Sequence, residues 1–247
     1  MTVFLTGGSG GLGVACAEMF AARGERVAVV DRAGAEAAVV ARRVSAKTGT
    51  EAVGIACDVT DPARVQEAWT SATEQLGPIE VVVNNAARLH IVPFLDLELA
   101  DWQETLAVNL TGPFLVAQLA AREWITNGRG GSIVNVASSA AVRAGFSGAV
   151  DYGSSKSGLV GLTRQIAVAL GPHGIRVNAV APGSFFSPLN DERFAQPGYQ
   201  EGIVAKVPLR RIGDAEDIAA AVVFLALDGG YVNGALLPVD GAMTVAQ

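Results

Sequence analysis

The sequence predicts an α/β fold in which helices cover both faces of a doubly wound parallel sheet of about seven strands. Short apolar runs rich in β-branched residues alternate with longer segments of helical periodicity along the 247 residues. The short runs are apolar at nearly every position, which is typical of strands buried on both faces in a parallel sheet with helical crossovers. Glycines stand near the ends of most of the helical segments.

In chain order, the predicted strands cover residues 3–6, 26–30, 52–56, 81–84, 132–137, 176–181 and 235–239. The predicted helices cover residues 11–22, 33–47, 62–76, 99–123, 152–170 and 215–227. The alternation continues to the last residues without a linker, an internal repeat or a low-complexity tract. We therefore expect one domain over residues 1–247, with residues 185–207 forming a substrate lid within it.

Composition narrows the possible partners and the compartment. A formal charge of -6 and a pI near 5.0 argue against nucleic acid and anionic membranes as partners, because both carry negative charge. The cysteines, Cys16 and Cys57, lack the spacing of metal ligands or of a redox pair, so we expect buried structural thiols and no metal. No secretory signal and no apolar run long enough to span a bilayer is visible, which predicts a cytoplasmic protein.

The first strand leads into a glycine-rich turn, Thr-Gly-Gly-Ser-Gly-Gly-Leu-Gly at residues 6–13. Glycine allows positive φ and lets backbone N–H groups approach a pyrophosphate, which the N-terminal end of the helix dipole also attracts. The alternative is an ordinary tight strand-to-helix turn. Asp31 ends the second strand 18 residues after Gly13, near the offset at which a carboxylate accepts hydrogen bonds from the adenosine ribose. Together these features predict a Rossmann-like dinucleotide site.

Asp31 also favours NAD over NADP. A 2′-phosphate about 4 Å from this carboxylate would be repelled by roughly 4 kcal/mol at an effective dielectric near 20. Ser9 supports the same choice, since it stands where a basic residue could have reached the phosphate. Arg32 leaves NADP open, because its guanidinium could pair with a 2′-phosphate, stack on adenine or lie in solvent.

Two further strand ends are candidates for the same cofactor. Asp58 and Val59 follow the third strand and could bracket adenine, whereas Asn85 and Ala86 follow the fourth and could contact the adenosine ribose. For both pairs a turn-forming role is a serious alternative.

Tyr152 and Lys156 stand four residues apart at the start of a predicted helix, so their side chains share one helix face. A phenol exchanges protons poorly near neutral pH because its ordinary pKa is about 10. A nearby ammonium and an oxidised nicotinamide both stabilise the phenolate and lower that pKa. The alternative is an exposed tyrosine and lysine that share helical spacing by chance.

The motifs taken together resemble the short-chain dehydrogenase/reductase family over essentially the whole chain. The resemblance rests on Thr-Gly-(x)3-Gly-x-Gly from residue 6, Asn84-Asn85-Ala86, Asn109, a serine-rich strand end, Tyr152-(x)3-Lys156, Pro182-Gly183 and the closing Val239-Asp240-Gly241. The family has Gly where Ala87 follows the Asn-Asn-Ala motif, and often Gly near Ala141. Neither departure removes a chemical group.

The resemblance implies four catalytic residues. Tyr152 is the general acid/base, Lys156 binds the nicotinamide ribose and lowers the tyrosine pKa, and Asn109 completes a proton relay through water. A serine holds the substrate oxygen. Strand register favours Ser138 for that serine, whereas the usual 13-residue spacing to Tyr152 favours Ser139. We prefer Ser138, because a loop absorbs an extra residue more easily than a buried strand does.

The resemblance also marks residues 182–187 as the nicotinamide loop, in which Ser187 stands where a threonine is common. The residues predicted to contact the cofactor are Gly7, Ser9, Gly10, Gly11, Leu12, Gly13, Asp31, Arg32, Asp58, Val59, Asn85, Ala86, Tyr152, Lys156, Pro182, Gly183, Phe185 and Ser187. Those predicted to contact the substrate are Ser138, Ser139, Tyr152 and Phe185.

These residues predict an NAD-dependent oxidoreductase that transfers a hydride between the cofactor and a secondary alcohol or ketone. Three irregular segments should form the substrate pocket, and their side chains predict a small, apolar or alicyclic substrate: Leu89, Ile91, Phe94, Phe146, Phe185, Phe186 and Leu189. The alternatives are an NADPH-dependent 3-oxoacyl-thioester reductase and a catalytically silent nucleotide-binding scaffold. The resemblance further implies a homotetramer.

Overall fold

A computed structural model describes residues 1–144, 149–187 and 194–246. Seven parallel strands form one sheet in the order β3-β2-β1-β4-β5-β6-β7. The strands are β1 (Thr2–Thr6), β2 (Arg26–Asp31), β3 (Ala52–Ala56), β4 (Val81–Asn84), β5 (Gly131–Val136), β6 (Ile175–Pro182) and β7 (Leu236–Val239). The predicted fold class is confirmed.

The helices that connect these strands lie on both faces of the sheet. They are α1 (Gly11–Ala22), α2 (Gly34–Thr48), α3 (Pro62–Leu76), α4 (Leu99–Leu106), α5 (Gly112–Thr126), α6 (Val150–Leu170), α7 (Tyr199–Val204) and α8 (Ala215–Val223). Short 3-10 segments cover Phe94–Asp96, Ser139–Ala141 and Gly171–His173. Within the described ranges, no helix is long and apolar enough to cross a membrane.

The side chains of each strand point alternately to the two faces of the sheet, so the core has two layers. Val3 and Leu5 of β1 pack with α1, α2 and α8, whereas Phe4 between them packs with α3 and α5 on the opposite face. Phe4 lies against Trp69, with ring centroids 5.3 Å apart. Successive side chains of a strand point to opposite faces, so apolar residues are needed at both sets of positions.

The predicted helix over residues 99–123 is interrupted. A π-helical turn, Ala107–Thr111, joins α4 to α5, and the N–H of Gly112 donates to the carbonyl of Ala107. Pro113 follows and has no N–H to donate to the carbonyl of Asn109 four residues earlier. The proline ring also crowds that carbonyl, so the wider turn accommodates it. A second π-helical turn, Phe224–Asp228, ends the predicted helix over 215–227.

The strand order reverses between β1 and β4, and this determines where the polar loops meet. The connections leaving β1 and β4 run to opposite sides of the sheet, which opens a crevice beyond the carboxyl ends of the strands. The glycine turn after β1, Asp31 at the end of β2, Asn85 after β4 and Ser138 after β5 all lie at this edge.

Candidate active site

One cleft of about 570 Å³ runs along the carboxyl edge of the sheet. Its lining includes every residue predicted to contact the cofactor, the four predicted substrate contacts Ser138, Ser139, Tyr152 and Phe185, and three of the four predicted catalytic residues. The fourth, Asn109, is fully buried and lies outside the lining. The topology thus brings together residues from the ends of six strands and the start of α6.

The glycine turn is packed too tightly for side chains. Gly7 has φ +63°, and a Cβ there would come within 2.7 Å of the Ala86 Cα. A Cβ on Gly13 would overlap the carbonyl oxygen of Gly7 and come within 2.7 Å of the Gly8 Cα. Only glycine fits at these positions, so backbone N–H groups of the first turn of α1 line the cleft without an intrahelical acceptor.

Asn85 holds this turn in place. Its side-chain Nδ2 donates to the carbonyls of Thr6 and Gly7 at 3.2 and 2.8 Å, and its own N–H donates to the Thr6 hydroxyl at 3.1 Å. Asn85, which was predicted to contact the cofactor, therefore also links β4 to the glycine turn through hydrogen bonds.

Asp31 lines the cleft near the glycine turn. Its two carboxylate oxygens accept the N–H groups of Ser9 and Ala33, each at 3.1 Å. Arg32 is exposed, and its positive charge helps to lower the pKa of Asp58, although hydrogen bonds from Thr60 are the larger cause. Asp31 and Asp58 thus place two carboxylates along this end of the cleft.

At the other end of the cleft, Ser138 and Tyr152 both contribute to the lining. Ser138 follows β5 and caps the short 3-10 segment, since its Oγ accepts the N–H of Ala140 at 3.1 Å. Ser139 also lines the cleft.

Lys156 lies beside Tyr152, one helical turn further along α6. Its Nζ is 5.8 Å from the centre of the Tyr152 ring and donates to the carbonyl of Val136 at 2.7 Å. The side chain is 1% exposed. Burial lowers the pKa of Lys156 to about 7, because an ammonium loses its hydration there.

Burial also raises the pKa of the Tyr152 phenol, and the hydrogen bond with Ser138 opposes that rise. Burial by itself disfavours the charged forms of both groups. The lowering of the tyrosine pKa by the Lys156 ammonium together with an oxidised nicotinamide therefore stays a prediction.

Asn109 is occupied by other partners. Its Oδ1 accepts the N–H of Arg88 at 2.8 Å, and its Nδ2 donates to the Arg88 carbonyl at 2.9 Å and to the Ser155 hydroxyl at 3.0 Å. Its own carbonyl lies in the π-helical turn and has no N–H donor at position 113. The carboxamide thus connects the loop after β4 to α6.

The substrate walls differ in part from the predicted set. Leu89 and Phe185 line the cleft, but Phe94 and Ile91 are 67% and 43% exposed and lie outside its lining. Phe94 belongs to a 3-10 segment that lies on the surface. Their placement in the pocket was wrong, because an apolar loop residue carries no signal of the direction in which it points.

Phe186 is 46% exposed, and its ring packs on Phe194 with centroids 5.1 Å apart. Phe146 and Leu189 lie outside the described residues. The lining also holds residues that were not predicted individually, among them Glu104, Val108, Phe194 and Tyr199. Phe194 and Tyr199 fall within the expected lid, whereas Glu104 belongs to α4 and Val108 to the π-helical turn.

Comparison with known proteins agrees with this geometry. The family model described as Enoyl-(Acyl carrier protein) reductase matches residues 7–244. The L-rhamnose 1-dehydrogenase (NAD(P)(+)) of Azotobacter vinelandii is 37% identical over 249 residues, covering 99% of this chain and 96% of that protein. The D-threitol dehydrogenase of Mycolicibacterium smegmatis is 37% identical, covering 98% of this chain and 92% of the relative.

A solved structure shows the same architecture. The gluconate 5-dehydrogenase of Burkholderia cenocepacia, in complex with NADP and tartrate, superposes with a TM-score of 0.93 at 31% identity and covers 100% of this chain and 96% of its own. The chain belongs to the short-chain dehydrogenase/reductase family. It is an oxidoreductase acting on CH–OH groups, as the sequence predicted.

Proposed function

We propose that this protein oxidises small secondary alcohols with NAD and that Tyr152 exchanges the hydroxyl proton. The observation that carries the proposal is that Ser138, Tyr152, Lys156 and the glycine turn all line one cleft, with the Lys156 Nζ 5.8 Å from the centre of the Tyr152 ring. The Ser138 and Tyr152 hydroxyls can both contact a single substrate oxygen there.

The residues present fit a dinucleotide. The N–H groups of the first turn of α1 suit a pyrophosphate. At the far end, the buried Ser187 hydroxyl lines the cleft with no protein partner among the described residues, as expected of a group that bonds to the cofactor. When bound, the nicotinamide exchanges a hydride with the substrate carbon, and its oxidised ring favours a nearby phenolate.

The protein's own groups handle the proton. Ser138 and Tyr152 hold the substrate oxygen, and the Tyr152 phenolate accepts its proton during oxidation. A protonated Lys156 stabilises that phenolate, and each pKa unit of lowering needs about 1.4 kcal/mol. Because the pKa of Lys156 is near 7, this lysine can also gain and release a proton at neutral pH.

Asn109 suits a positioning role better than the predicted relay. Both donors of its carboxamide and one lone pair of its oxygen are used by Arg88 and Ser155. We propose that it holds α6 against the loop after β4.

Asp31 supports NAD as the preferred cofactor. Its carboxylate is tied to two backbone N–H groups at the position where the adenosine ribose would lie. Ribose hydroxyls can still donate to its remaining lone pairs, whereas a 2′-phosphate would be repelled. NADP remains the alternative, since the Burkholderia relative binds NADP and Arg32 lines the same end.

Two substrate classes suit the cleft. Leu89, Phe185, Phe194 and Tyr199 favour a small apolar or alicyclic alcohol. Arg88, Glu104 and Ser139 also line the cleft, and the names of two relatives specify L-rhamnose and D-threitol. A small polyhydroxylated substrate is therefore the second candidate, and turnover of matched panels of cyclic alcohols and polyols separates the two.

We further propose a cytoplasmic homotetramer, supported by the family. Light scattering of the purified protein and fractionation of the source cells test the two parts.

The function is tested with Tyr152→Phe, which removes only the phenol oxygen. We expect kcat to fall by at least about 100-fold, the usual contribution of a positioned acid/base, while the Kd for NADH stays within twofold. Tyr231→Phe is the matched control, because Tyr231 is fully exposed, and should retain full activity. Undiminished turnover by Tyr152→Phe would remove Tyr152 from its role, and a wild-type chain inactive on both panels would refute the function.

A further inference from the structure

A buried polar chain joins the loop after β4 to the residue that precedes Tyr152. Arg88 donates from Nη1 to the Thr105 hydroxyl at 2.8 Å, and that hydroxyl donates to Asp151 Oδ2 at 2.6 Å. Thr105 and Asp151 are both 0% exposed. The Arg88 guanidinium is 23% exposed and also pairs with Asp101 at 2.7 Å and with Glu104 at 3.0 Å. The Thr105 hydroxyl links it to the Asp151 carboxylate, which would otherwise be costly to bury.

The other oxygen of Asp151 reaches the backbone of the tyrosine itself. Its Oδ1 accepts the N–H of Tyr152 at 2.8 Å. This N–H lies in the first turn of α6, where amides lack an intrahelical acceptor. The Asp151 carboxylate thus provides the acceptor that holds the start of α6.

A second chain reaches Tyr152 from the same loop residue. The backbone of Arg88 is bonded to the Asn109 carboxamide, Asn109 donates to Ser155 Oγ, and Ser155 Oγ donates to the Tyr152 carbonyl at 2.7 Å. Both backbone groups of Tyr152 are therefore connected to Arg88, which itself lines the cleft.

We propose that Arg88, Thr105 and Asp151 are positioning residues for Tyr152, acting through the hydrogen bonds that the Thr105 hydroxyl makes with the other two side chains. They aim the phenol at the substrate oxygen and couple its position to the loop formed by Asn85 to Arg88, which borders the cofactor site. The role needs a polar bridge between Arg88 and Asp151, and the Thr105 hydroxyl provides it because it accepts from one and donates to the other at once.

The inference rests on the proposed function for its kinetic effect but has an independent structural readout. Thr105→Val keeps the shape and removes the bridge, whereas Thr105→Ser keeps the hydroxyl. Thr163→Val is the matched control, since Thr163 is a buried threonine of α6 that bonds to Asn135 and Leu159 instead.

We expect Thr105→Val to lower kcat by about tenfold or more, because small misplacements of a reacting group are costly, with the Kd for NADH within twofold of wild type. Thr105→Ser should stay within about twofold of wild-type kcat, since its hydroxyl can make the same two hydrogen bonds. Thr163→Val should keep wild-type kcat even where its Tm falls. Equal kcat losses in the two valine variants, or none in Thr105→Val, would overturn the proposal.

NMR of ¹³C-labelled tyrosine gives the second readout, and with three tyrosines in the chain the Tyr152 signal is assigned by Tyr152→Phe. This signal should shift or broaden in Thr105→Val and stay unchanged in Thr163→Val. If the wild-type chain turns over no alcohol but this shift is seen, the proposed function fails and the positioning role stands. If Thr105→Val does not fold, Asp151→Asn is the second variant, because its amide oxygen can still accept the Tyr152 N–H. An unmoved Tyr152 signal and an unchanged kcat in Asp151→Asn would refute the positioning role.

Discussion

Ser138 and Tyr152 line one cleft, and the Ser138 side chain opposes the rise that burial causes in the pKa of the Tyr152 phenol. Ser138 Oγ also accepts the N–H of Ala140 at 3.1 Å. Ser139 follows directly and turns into the 3-10 segment that Ser138 caps. Residue spacing and strand register had favoured different serines as the one that holds the substrate oxygen. Ser138 and Ser139 are not equivalent in the structure.

Replacing each serine by alanine should separate their contributions. We expect Ser138→Ala to lower kcat by about 100-fold, the typical cost of one donor to a reacting oxygen, and Ser139→Ala to change it only a few-fold. Steady-state kinetics on the best alcohol of either panel is the measurement. A larger loss in Ser139→Ala than in Ser138→Ala would reverse the assignment.

Asp31→Asn should weaken the preference for NAD over NADP. It removes a charge whose repulsion of a 2′-phosphate is worth up to roughly 4 kcal/mol, so the ratio of kcat/KM for the two cofactors should fall by about tenfold to a thousandfold. Asp61→Asn is the control, because Asp61 also accepts two backbone N–H groups, at the start of α3, and lies outside the cleft lining. An unchanged ratio in Asp31→Asn would contradict the assignment of cofactor preference to this residue.

Lys156 should make stability rise with pH above neutrality. Its pKa is about 7 in the folded protein and about 10.4 in an unfolded chain, so between these values the unfolded state binds more protons. Stability then increases with pH across that window. Lys156→Met should flatten the curve between pH 7 and about pH 8, below the ordinary range of cysteine titration in an unfolded chain. Denaturant unfolding of both proteins at several pH values checks this, and parallel curves would show that Lys156 stays charged when buried.

Gly13→Ala should abolish tight cofactor binding. The added methyl would collide with backbone atoms of Gly7 and Gly8 rather than with a movable side chain, so the glycine turn itself must shift. Gly230→Ala is the control, because a Cβ there meets nothing within 4 Å. Calorimetric titration with NADH should show a Kd at least about tenfold weaker for Gly13→Ala, a loss of about 1.4 kcal/mol, and unchanged for Gly230→Ala. Normal binding by Gly13→Ala would mean that this turn does not hold the pyrophosphate.

The sequence by itself determined the features that depend on near neighbours. The periodicity of the sequence and the apolar content of its short segments located all seven strands, because a strand buried on both faces needs apolar residues at every position. The glycine turn and the spacing of Tyr152 and Lys156 were equally readable, since backbone freedom and a shared helix face follow from residues a few positions apart.

Only the tertiary structure decided the contacts between distant segments. The bonds from Arg88 through Thr105 to Asp151 span 17 and then 46 positions, and Asn109 reaches Ser155 over 46. No local pattern encodes them, because each polar side chain could as well have faced water. The exposure of Phe94 belongs to the same class. Local spacing predicted which groups carry the chemistry, whereas the packing of α4 and α6 against the loop after β4 decided how they are held.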